Sequence, residues 1–199
     1  MGFAHIYVKA PPEAVEKAVE AYLSAKGFRR TAMTPDRHPT RMQQIHEGQM
    51  RLYWLSPPLN GWTGIFEFRY YSNEQRNRWG YSDEHLALAL SKDVGEVFRF
   101  EVLDGRGFWL YARYRDGAEV EGKAYEDVFD RSLDPSHPRY ELNRIIDREG
   151  LRNVGLGYEH VPGPQVAPIE KVPQSSEGIE GYEGFRHLAF VREPEAPKP

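Results

Sequence analysis

The chain is 199 residues long, 40% hydrophobic and 13% aromatic, with a net charge of −4 and no cysteine. That length and apolar content can bury a sizeable core as one domain, with room for an extension. The missing cysteines exclude disulfides, thiolate nucleophiles and Cys-ligated zinc. The acidic balance disfavours a general nucleic-acid or membrane-surface role, since both favour a basic face.

In chain order, residues 3–9 alternate as a strand. Pro11-Pro12 then opens a helix, where proline is tolerated in the first turn. Val15, Ala18, Val19, Tyr22 and Leu23 recur on one face of it and Gly27 stops it. Residues 31–41 read as a polar loop. Residues 43–46 and 49–55 flank Glu47-Gly48, which predicts a hairpin, and residues 56–61 form a second turn before a strand over 62–71. After the polar stretch 72–80, Ser82 stands at an N-cap with Asp83 and Glu84 in the first turn. Leu86 and Leu90 make the helix that follows apolar, and Gly95 ends it. Residues 96–125 form a three-strand meander cut by Asp104-Gly105 and Asp116-Gly117, since Asp-Gly between alternating runs is a hairpin signal.

The resulting order is β-α-β-β-β-α-β-β-β. Its expected fold is α+β: a curved, mostly antiparallel sheet with two helices on one face. Beyond residue 126 come a loop, a third helix from Ser136-His137-Pro138 to Gly150, a Gly/Pro-rich stretch over 153–173, a last strand over 185–191 and a charged, proline-rich tail. The expected organisation is a core domain over 1–135, a C-terminal arm over 136–192 that contains the third helix and docks on the core, and a flexible tail over 193–199.

Phe66-Glu67-Phe68-Arg69-Tyr70 and Phe98-Arg99-Phe100-Glu101-Val102 carry one apolar frame with opposite charge order. With one face buried and one polar, Glu67, Arg69, Arg99 and Glu101 are expected on the face opposite the two helices. There they form a solvated ladder or line a groove closed by the C-terminal arm. Trp62 and Trp79 stand in loops beside glycine, where an aromatic covers a core edge or lines a partner surface. His137 and Glu141, four apart on the third helix, share a face and would reach a metal with Glu159 or His160 as third ligand. Without an HExxH pattern or any cysteine, however, the expectation is no metal and no cofactor. Their plainer roles are a helix cap for His137 and an ion pair for Glu141.

Other motifs dissolve on inspection. Ser82, Asp83 and His85 have the residue types of a hydrolytic triad, but triad members converge from separate elements. The pairs Gly155/Gly157 and Gly105/Gly107 are too short for a phosphate cradle. Arg106-Gly107-Phe108 resembles the opening of an RNA-recognition strand; Trp109 then stands where Gly or Ala belongs and Arg113 where an aromatic belongs. No run approaches the roughly 18 apolar residues of a membrane span, and residues 1–10 lack a signal-peptide pattern, so a cytoplasmic setting without a membrane is expected.

These readings favour a non-enzymatic binding or protein-interaction module with an unidentified protein or small-molecule partner. The alternatives are a small acid/base enzyme with Glu67, Glu101 and His137 on the sheet face under the arm, and a sheet-face nucleic-acid binder. A homodimer stays open.

Overall fold

The computed structural model describes residues 2–32, 43–45, 47–68, 84–103, 108–126, 134, 136–151 and 184–192. They form an α+β architecture on one antiparallel sheet of eight strands. The first half comprises β1 (Gly2–Val8), α1 (Pro12–Ser24), β2 (Phe28–Thr31), β3 (Met50–Leu55) and β4 (Thr63–Phe68). Then come α2 (Glu84–Asp93), β5 (Val97–Leu103), β6 (Phe108–Arg115) and β7 (Ala118–Tyr125). A 3-10 turn (Pro138–Tyr140) runs into α3 (Glu141–Arg148), and β8 (Arg186–Arg192) is last. Across the sheet the order is β2-β8-β3-β4-β1-β5-β6-β7. The first strand therefore lies near the middle, and the last is inserted between β2 and β3.

Turn chemistry explains the local pairings. Asp116 and Gly117 have φ of 52° and 76°, the left-handed pair whose twist suits a two-residue hairpin loop between β6 and β7. Asn60 and Gly61, at 53° and 79°, make the same kind of turn. It closes Leu59 onto Trp62 through reciprocal backbone bonds of 3.0 and 2.9 Å. Asp104-Gly105 and the Ser82 cap lie outside the described residues.

The hairpin expected across Glu47-Gly48 does not form. Residues 43–45 are helical, and the Glu47 N–H donates to the Gln43 carbonyl at 2.9 Å. Gln-Gln-Ile has fair helix propensity, and β3 finds longer partners in β4 and β8. β2 was not expected either: four residues with one buried side chain, Phe28, are too short to show a period.

The pleat sends alternate residues to opposite faces, and both faces are covered. On one, Ile6, Val8, Tyr53, Leu55, Ile65, Val97, Leu188 and Phe190 pack with Val15, Val19 and Leu23 of α1 and Leu86, Ala87 and Leu90 of α2. On the other, Tyr7, Trp54, Phe66, Phe98, Phe100, Trp109 and Tyr111 pack with Leu142, Ile145 and Ile146 of α3 and with Leu151. The first layer is largely aliphatic and the second largely aromatic. Each buried Val, Leu or Phe contributes about 1.5–3 kcal/mol by leaving water.

Candidate functional site

Glu67, Arg99 and Glu101 lie on the α1/α2 face, which corrects their expected facing. Arg99 is registered with Ile6 and Ala112, and Glu67 with Tyr53, all on the helix-covered side. The physical reason is the aromatic frame. Phe66, Phe98 and Phe100 are committed to the α3 face, so the pleat turns the charges the other way. They are no solvated ladder either: Arg99 is 6% exposed and Glu101 4%. β1 separates β4 from β5, so the strands cannot exchange charges directly. Each carboxylate instead meets an arginine nearby, Glu101 with Arg99 on its own strand and Glu67 with Arg51 on β3. The structure thus places Glu67 and Glu101 on one face, on the strands either side of β1, with their charge answered inside the fold. Arg69 and Trp79 lie outside the described residues.

Trp62 is a clamp for α3. It is buried, and its indole N–H donates to the Glu149 carbonyl at 3.0 Å, while the Asn60 amide donates to the Gly150 carbonyl at 2.8 Å. These bonds satisfy carbonyls at a helix end that lack partners within the helix. His137 precedes the 3-10 turn and meets the Tyr125 ring edge-on at 6.2 Å. Glu141 receives the Lys123 ammonium at 2.6 Å. The two residues therefore serve different contacts along β7, and among the described residues no group of three His, Asp or Glu is placed to hold a metal ion.

Sequence reasoning missed two features. The first is the hub at Arg113, whose side chain is 10% exposed. Its guanidinium lies 2.7 Å from Glu96, 2.7 Å from Glu149 and 3.3 Å from Glu121. Burial opposes the arginine's charge, but the three carboxylates outweigh it and raise its pKa. Burial likewise opposes Glu149's charge, yet Arg113 and Arg148 hold its carboxyl below the usual range. A glutamate at the negative end of a helix is locally unfavourable, and that was the available signal. The second is His5, buried on the aromatic face, edge-on to Phe66 at 4.5 Å. Burial lowers its pKa to about 3, which keeps the ring neutral. His187, edge-on to Trp54 at 5.4 Å, is lowered in the same way.

With those charges engaged internally, the open part of the described structure is the β7 edge. Among the described residues β7 pairs with β6 alone. Glu119, Val120, Gly122, Lys123 and Ala124 are exposed, Val120 by 53%. Glu121 accepts the Tyr111 hydroxyl at 2.8 Å, and burial with this carboxylate pushes that hydroxyl up to about 12. Its neighbour Lys123 is held by Glu141. A bulge interrupts the ladder at Val120, between Glu119 and Glu121, the partners of Tyr114 and Arg113. Among the described residues, the outer backbone groups of β7 have no strand partner.

No family model, curated protein or solved structure matches the chain. Among the described residues no helix is long and apolar enough to cross a membrane.

Proposed function

We propose that this protein is a non-enzymatic protein-interaction module that engages its partner by adding a strand to the β7 edge. One observation carries the reading: β7 is eight residues long, largely exposed and, among the described residues, paired on one side only. Unpaired N–H and C=O groups on such an edge are a template for another strand, with main-chain bonds giving affinity and neighbouring side chains giving selectivity. The opposite edge, β2, has four residues and a far shorter template. The acid/base alternative would draw on Glu67 and Glu101, but each already faces an arginine. A nucleic-acid role finds little support, because the aromatic sheet face is packed under α3 and the net charge is −4. A cytoplasmic setting belongs to the same proposal.

Site-specific photo-crosslinkers tested inside the producing cell address this. Probes at Val120 and Ala124 of β7 should give defined adducts, whereas a probe at Glu20 on α1 should not. Equal labelling from both places, or none from β7, would remove β7 as the interaction edge.

A further inference from the structure

We infer that the partner of β7 is a second copy of this chain, paired antiparallel about a two-fold axis through Gly122. The inference rests on β7 being the interaction edge and deepens that reading.

Outward-facing backbone groups recur at every second residue of a strand, so two copies of β7 can ladder only in registers that slide by two. A two-fold centred on Val120 would lie on the bulge, where the ladder is interrupted and Glu119 and Glu121, partners of Tyr114 and Arg113, turn to opposite faces. Centred on Glu121 or on Lys123, it sets that charge against its own twin. Centred on Gly122, it sets Glu121 against Lys123 twice and opposes no like charges. Glycine also leaves the axis free of side chains, and the exposed Val120 then faces Ala124.

The surroundings fit this register. Tyr111 and Arg113 hold Glu121, and Glu141 holds Lys123. Pairing would place the lysine of each copy between its own Glu141 and Glu121 of its mate. Charged side chains and a bulge guard an edge against unspecific strand addition. Here they penalise the neighbouring registers and leave one attractive pairing.

The test is sedimentation equilibrium on the full chain, with weak, reversible dimers expected at about 10–100 μM. The association should weaken as salt rises, because its polar pairs are exposed. Gly122→Lys sets two ammonium groups against each other at the axis. In the monomer its Cβ meets mainly the flexible end of Glu119, whose carboxylate lies beside the new charge, so the fold should survive. This variant should dimerise at least about tenfold more weakly. Lys123→Glu should do likewise by facing Glu121 with a second carboxylate. A wild-type chain that stays monomeric at about 200 μM, or a Gly122→Lys variant that dimerises like wild type, overturns the inference. A monomeric wild type that still crosslinks from Val120 to a different protein would overturn self-pairing alone and leave the edge reading standing.

Discussion

At the β7 end of the sheet each strand pairs with the next in sequence, whereas at the β2 end Met50 pairs with Val191 and Phe28 with Arg192. Local pairing costs little loop-closure entropy, while distant pairing costs more before any contact repays it. The distant end must therefore be held by burial. Leu188, Ala189 and Phe190 are all buried, and β8 supplies residues to both faces of the sheet. β7, closed by a two-residue turn, keeps most of its side chains in water. The end that is easiest to form thus has surface to spare for a partner.

The largest expected effect lies at the distant end. Phe190 is fully buried between β2 and β3 and meets the Tyr53 ring at 6.3 Å. Phe190→Ala should cost about 3–5 kcal/mol, read as a lowered urea midpoint. A loss below about 1 kcal/mol, in the range of ordinary surface changes, would mean that β8 does not anchor this end.

The same contrast decides how much of the molecule could be read from its sequence. The meander was legible because Asp116-Gly117 and the period of two at 97–103 are local signals. So were α1, from its apolar spacing, and the helix over 84–93, from Leu86 and Leu90. β2 was not legible, since Phe28–Thr31 is a strand only because β8 lies beside it. The facing of Glu67, Arg99 and Glu101 failed for a related reason. A period of two tells which residues share a face, but not which helices cover it. The aromatic side looked like the one for α1 and α2, and α3 took it. The Arg113 hub draws on the α2–β5 loop, β6, β7 and the end of α3, so no window of sequence contains it.

Arg113 is where the local end depends on something distant, and its removal measures that dependence. Arg113→Met should cost about 2–4 kcal/mol at pH 7, because Glu149 and Glu96 lose their buried cation and keep only the exposed Arg148 and Arg115. Glu149's carboxyl is held below its ordinary value of 4.5. The stability it lends is therefore complete above that value and is lost as the pH falls through the lower folded-state value. The gap between wild type and variant in urea unfolding should accordingly narrow from pH 7 toward pH 3. A gap that is constant with pH would assign the cost to lost packing over Phe98 and leave the hub without an ionic role.

The smallest expected effect is at the edge itself. Val120 is 53% exposed at the bulge, and Val120→Thr keeps a β-branched shape that suits a strand. In the isolated chain, measured at about 1 μM where a weak dimer dissociates, the substitution should cost under about 0.5 kcal/mol. At high concentration it should instead weaken self-association, because the exchanged methyl group faces Ala124 across the two-fold. A cost above about 1 kcal/mol at the low concentration would mean that Val120 is packed within a single chain. β7 would then be no freer than β8, and the contrast between the two ends of the sheet would fail at the residue chosen to show it.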